Sequence, residues 1–143
     1  MPAFEPKRDL MHTTNYFQTL ILVSDDCKRD GPAVPERAGS IAALQFGLLN
    51  GAPHAMSSDD LLWRVELARN PDLSDTDENR QAYFSKGRAC LRTSPLVKSY
   101  GWGIHSDGEG RVALVGGGSP EYLALVADGD VKKVPGIRSS RKK

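Results

Sequence analysis

The segment Gly101–Val115 constrains the fold of this chain more than any other. Two runs of strand-forming residues, Gly101–His105 and Arg111–Val115, flank Ser106-Asp107-Gly108-Glu109-Gly110. A loop with two glycines and an aspartate supplies the positive-φ positions and local side-chain bonds of a hairpin turn. An antiparallel hairpin is therefore expected over about 101–115. Two glycines alternating with large side chains in its first strand predict a close backbone approach, or cross-strand room for the rings.

The other elements follow from turn and cap chemistry. Tyr16–Ser24 (YFQTLILVS) is short, apolar and rich in β-formers, and reads as a central strand. Asp25–Gly39 holds two prolines and two glycines and reads as a loop. Ser40 offers an N-cap to a helix over Ile41–Asn50, which Gly51 and Pro53 end. Ser57 with Asp60 three residues on is a capping-box variant, opening a helix whose inward face is Leu61, Leu62, Val65 and Ala68. A third helix starts near Ser74–Thr76 and carries Tyr83 and Phe84. Arg88–Thr93 reads equally as strand or extended connection, and Ser94-Pro95 starts one or two helical turns to Tyr100. Ser119-Pro120-Glu121 opens a last helix to about Ala127, and Val131–Val134 reads as a further turn. Together these predict an α+β fold: one compact domain in which a small, mainly antiparallel sheet packs against three to five short helices.

With 143 residues, 39% hydrophobic and 26% charged, the chain has the size and mixture of one ordinary globular domain. The expected division is a disordered lead-in over 1–13, the domain over 14–131 and a basic flexible tail over 132–143. No apolar run is long enough to span a bilayer. The opening residues lack a secretion signal, and two cysteines, Cys27 and Cys90, are too few for a disulfide framework. A cytoplasmic protein is expected. Six basic residues and no acids follow Val131, leaving 13 of the 19 basic residues against 18 acidic ones in the body. Such a tail either contacts phosphate backbones by counterion release, giving weak nucleic-acid association, or serves as a solvated end.

Chemistry concentrates in Asn79–Ser106. Five cations, Arg80, Lys86, Arg88, Arg92 and Lys98, stand there without one acid, interleaved with Tyr83, Phe84, Tyr100, Trp102 and His105. Cations and rings together suit an anionic ligand, through charge-assisted hydrogen bonds and stacking. The expected site is Arg88, Arg92, Lys98, Tyr100, Trp102 and His105, and the expected partner an anionic small molecule or an acidic protein surface. Against this, the cations can pair with the acid-rich Asp59–Asp77 segment while the aromatics fill the core. In a strand, Gly101, Gly103 and His105 share a face, so His105 would stand beside a hollow.

An enzymatic reading makes His105 a general acid/base with Cys90 or Lys98 as nucleophile. Cys90 lies between Arg88 and Arg92, which favours thiolate, although a lone cysteine also serves as a small buried hydrophobe. Gly116-Gly117-Gly118-Ser119-Pro120 lacks the phosphate-binding spacing and reads as a strand-to-helix connection. Scattered histidines and cysteines support no metal site, and no cofactor is expected.

Four fragments resemble a family of small bacterial proteins catalogued only as a domain of unknown function. They are Met11–Phe17 (MHTTNYF), Ser57–Leu62 (SSDDLL), Ala89–Leu96 (ACLRTSPL) and Lys98–His105 (KSYGWGIH). The resemblance covers roughly Met11 to Val134. It implies a bacterial cytoplasmic domain and brings no activity, cofactor or catalytic residue.

Overall fold

A computed structural model describes residues 13–25, 27 and 31–137. In chain order the elements are β1 (Thr19–Leu22), α1 (Ile41–Leu49), β2 (Met56–Ser57), α2 (Ser58–Arg69), α3 (Asp77–Ser85), a 3-10 turn at Leu91–Thr93, α4 (Pro95–Ser99), β3 (Trp102–Ser106), β4 (Arg111–Gly116), α5 (Pro120–Ala127) and β5 (Lys132–Pro135). The strands form one mixed sheet in the order β2-β4-β3-β1-β5. Only β1 and β5 pair in parallel; the other neighbours are antiparallel. This is the α+β domain with a C-terminal-half hairpin that the turn chemistry predicted.

Strand alternation divides the side chains between two layers. On one face Ile21, Ile104 and Leu114 lie in register and meet Leu49, Leu61, Val65, Leu91 and Val97 from the helical layer. On the other face Leu20, His105 and Ala113 lie in register. There α5 covers Gly103, over which the Tyr122 ring lies so closely that a Cβ would stand 2.7 Å from it. The Tyr122 hydroxyl accepts the Val23 N–H at 3.0 Å, tying α5 to the end of β1.

Each long helix begins where a side-chain oxygen meets its orphan amides. Ser40 accepts from Ala43 N, Thr76 from Asn79 N and Ser119 from Tyr122 N. At α2 the capping box is complete, with Ser57 and Asp60 exchanging bonds of 3.1 and 3.3 Å. Burial pushes the Asp60 carboxyl up, but the Arg80 guanidinium at 2.8 Å and the Ser57 bonds outweigh it and hold it below the usual carboxylate range. A second cluster secures the same helix from the N-terminal side. The Asp59 carboxylate accepts from Thr13 Oγ1, Thr14 N and Thr14 Oγ1 at 2.7–2.8 Å, and Asn15 Oδ1 accepts from Asp59 N at 3.0 Å. Thr14 and Ser58 also bond at 2.7 Å, both buried.

Several expectations shift. The first strand shrinks from Tyr16–Ser24 to Thr19–Leu22, because Gln18 takes a left-handed conformation (φ 48°) that breaks the extended run. The hairpin loop has four residues rather than five, since Ser106 completes β3 by pairing with Val112. Arg88–Thr93 is neither strand nor wholly extended: it ends in the 3-10 turn. The turn expected at Val131–Val134 is instead β5, and Lys132–Pro135, assigned to the tail, belongs to the sheet. The reason lies in the edge of β1, on which β5 pairs, and in Lys133, whose ammonium donates to the carbonyls of Leu125 in α5, of the C-cap Asp128 and of Val131. The remaining tail residues 138–143 and the lead-in up to 12 lie outside the described residues.

If the Asp59 cluster secures α2, Asp59→Ala removes the acceptor of both threonine hydroxyls and strands the Thr14 backbone amide. It should cost about 2 kcal/mol in urea unfolding, against a few tenths for the exposed Asp72→Ala. Equal losses for the two variants would show that the cluster contributes nothing.

Candidate functional site

Glycines allow the chain to pack tightly at the start of β3, and that packing builds a groove. Gly101 has φ +78°, and a Cβ there would lie 2.6 Å from the Gly31 carbonyl oxygen. Gly117 donates to the Gly101 carbonyl at 2.9 Å, and a Cβ on Gly116 would touch the Pro32 ring at 3.0 Å. Two further bonds hold the incoming loop: Ala33 N donates to Tyr100 O at 2.9 Å, and Trp102 Nε1 donates to Ala33 O at 2.9 Å. The Trp102 ring rests on Phe46 of α1, with centroids 5.6 Å apart. The triglycine segment is thus a packing joint between loop 31–33 and the sheet end.

The loop so placed runs on to the N-cap of α1 and lines two adjoining cavities. One, of about 490 Å³, is bounded by Arg37–Ala42, Arg69 at the end of α2, Pro95 and Tyr100. The other, of about 480 Å³, is bounded by Ala33, Val34, Glu36, Arg37 and Tyr100. Arg37 and Tyr100 line both. Among the described residues the salt bridges are Arg80–Asp60 and Arg111–Glu109, so neither Arg37 nor Arg69 is neutralised by a carboxylate there.

Among the described residues, the six singled out from the sequence do not come together at either cavity. Tyr100 is the one that lines the groove. Arg88 stacks on Tyr83, its guanidinium carbon 3.8 Å from the ring centroid, and Nε donates to Tyr83 O. Burial raises the Tyr83 phenol and Arg88 partly offsets it. Arg92 Nε donates to the Pro135 carbonyl at 2.6 Å, fastening the 3-10 turn to β5. Lys98 lies on α4, whose Leu96 and Val97 are fully buried. Trp102 belongs to the joint just described. The face shared by Gly103 and His105 has no hollow at Gly103, since Tyr122 fills it.

His105 instead meets His54 from the α1–β2 connection. His54 Nε2 and His105 Nδ1 are 2.9 Å apart, with the rings edge-on and centroids 5.0 Å apart. The nitrogens therefore lie between the rings, in line for an N–H···N bond that needs one donor and one acceptor. His54 holds this position in a left-handed conformation (φ 58°). Burial, then the His54 charge, push His105 below the ordinary imidazole value, against smaller opposing effects of Asp107 and Asp128. Cys90 does not reach this pair: its Sγ bonds Tyr16 OH at 3.3 Å, and Leu91 beside it packs with Ile104 on the opposite face of the sheet. Burial and the Cys90 bond raise the Tyr16 phenol. Lys98 is on that opposite side as well, so neither nucleophile candidate shares the layer of His105. Among the described residues no group of three or more His, Cys, Asp and Glu side chains could hold a metal.

Sequence reasoning missed Arg37, Arg69 and the pairing of His54. Arg37 stands just before the Ser40 cap in a loop, and Arg69 is the last residue of an otherwise ordinary helix. A cation flanking a predicted helix start was the signal available for Arg37; for Arg69 and His54 only the fold supplies the partner.

Fold and groove define a small single-domain protein of α+β class with a cationic surface groove at one end of the sheet. The chain belongs to the family of unknown function DUF6157, whose model matches residues 11–142. Comparison with curated proteins and with solved structures finds no match. No helix among the described residues is long and apolar enough to cross a membrane.

The histidine pair makes a pH prediction. A folded-state pKa below the ordinary 6.5 means that the unfolded chain binds a proton first, so this stabilisation is complete above 6.5 and lost as pH falls below it. Asp60 and Asp107 are held low, so their contributions disappear only below about 3.8. Between pH 7 and 5 the wild type should therefore lose more urea stability than His105→Asn. An equal or steeper loss in the variant would contradict the shared-proton geometry.

Proposed function

We propose that this protein is a non-catalytic binding module for a small anionic ligand, held in the groove between loop 33–42 and the end of α2. One observation carries the reading: two arginines, Arg37 and Arg69, line a single cavity of about 490 Å³ together with Tyr100, with no carboxylate paired to either among the described residues. Guanidinium forks match carboxylate and phosphate geometry and keep their charge at every physiological pH. The volume falls in the range of small-molecule sites. The first turn of α1 adds positive partial charge, as a minor contribution beside the arginines.

The reading retains the anionic ligand that the cation-rich segment suggested and moves its site. Of the residues first singled out, Tyr100 stays and Arg88, Arg92, Lys98, Trp102 and His105 leave. A bacterial, cytoplasmic setting remains part of the proposal, and the free thiols of Cys27 and Cys90 suit a reducing compartment.

Calorimetric titration with inorganic pyrophosphate, phosphate and citrate tests it. At least one of these should bind the wild type, weaken with added salt, and lose about tenfold or more in affinity for each of Arg37→Ala and Arg69→Ala. Both side chains stand clear of the core, so folding should survive, as checked by circular dichroism. Affinity unchanged in both variants, or no binding of any probe, would overturn the reading.

A further inference from the structure

The second cavity says what kind of anion this is. We infer that the ligand is amphoteric: its anionic end lies between Arg37 and Arg69, and an ammonium or similar cationic group at its other end lies beside Glu36. The inference rests on the function proposed above and extends it to the ligand's second half.

Charge is ordered along the two adjoining cavities. The two cavities share Arg37 and Tyr100, so they adjoin, and a ligand that extends beyond the first can reach the second. The first cavity is lined by both arginines and by no Asp or Glu, whereas the second adds Glu36. Glu36 forms no salt bridge among the described residues, so its carboxylate is not paired with Arg37, the cation that lines the same cavity. A ligand with two anionic ends would set its second charge against Glu36. A wholly uncharged tail would meet the apolar Ala33 and the exposed Val34 and leave the carboxylate without a partner. A cationic tail satisfies Glu36 while its methylene stem covers Ala33 and Val34, and a mismatched charge at either end acts against the wrong ligand. The chemical class is therefore a short molecule with a phosphate or carboxylate at one end and an amine at the other.

The test compares ω-aminoalkyl phosphates of two to five methylenes with the alkyl phosphates of equal length, by calorimetry at fixed ionic strength. At one or more lengths the amine-bearing probe should bind at least about tenfold more tightly than its alkyl counterpart. Glu36→Gln, a change at an exposed loop position, should close that gap by weakening the amine-bearing probes relative to the alkyl phosphates. Three results would overturn the inference: no gap at any length, a gap that persists in Glu36→Gln, or tighter binding of the alkyl series. If the alkyl phosphates bind in a manner that requires Arg37 and Arg69 but no gap exists, the inference falls and the anion-binding function stands. If no probe binds, or binding ignores both arginines, the two fall together.

Discussion

The groove at the sheet end depends on a backbone contact that only glycine permits. The carbonyl of Gly31 sits where a side chain on residue 101 would begin, 2.6 Å from that position. Gly101 has φ +78°, a conformation that costs other residues roughly 1–2 kcal/mol even in open space. With no Cβ at 101, 116 or 117, loop 31–33 lies against the sheet end and exchanges bonds with Tyr100 and Trp102. That seats the chain so that Arg37 comes beside Tyr100, with Arg69 arriving from α2. The groove is a consequence of packing at the joint, and its charge is a consequence of which helix ends happen to meet there.

A second constraint explains why distant parts of the chain share one identity. The threonines of the 13–15 segment and the aspartates of the 57–60 segment look unrelated in sequence, 45 residues apart in the case of Thr14 and Asp59. In the fold they form one hydrogen-bonded cluster, with the Asp59 carboxylate as acceptor and Asn15 as its backbone partner. The Cys90–Leu96 fragment acts likewise: Leu91 and Leu96 are buried, and Ser94 Oγ bonds the buried Gln45 at 2.6 Å, joining α4 to α1. The fragments that carry the family resemblance thus hold helices to one another, and their residue types report the fold more than the ligand.

Much of the architecture was legible because local chemistry dictates it. Ser40, Ser57, Ser94 and Ser119 each announce a helix and each supplies the expected cap bond. The hairpin was legible from its glycines and alternating residues. What escaped was decided by tertiary contact: β5 is a strand because β1 offers it an edge and Lys133 finds the α5 carbonyls, neither of which four residues of sequence disclose. The site was half legible. That glycines near Trp102 mean close approach was correct, but the partner at Gly103 is the Tyr122 ring, so the imagined hollow is filled. Cations crowded together in sequence are distributed over α3, the segment after it, the 3-10 turn and α4, where Arg80, Arg88 and Arg92 find separate partners. Those that do converge, Arg37 and Arg69, are separated by the whole of α1 and α2.

The most direct measurement is a map of where an anion lands. Backbone amide chemical shifts of the full chain, followed by NMR through a pyrophosphate titration, should move at Arg37–Ala42, Arg69 and Tyr100 and remain still at His54 and His105. Shifts confined to the basic residues after Val131, or spread without a focus, would mean that the groove is a surface feature with no ligand of this kind.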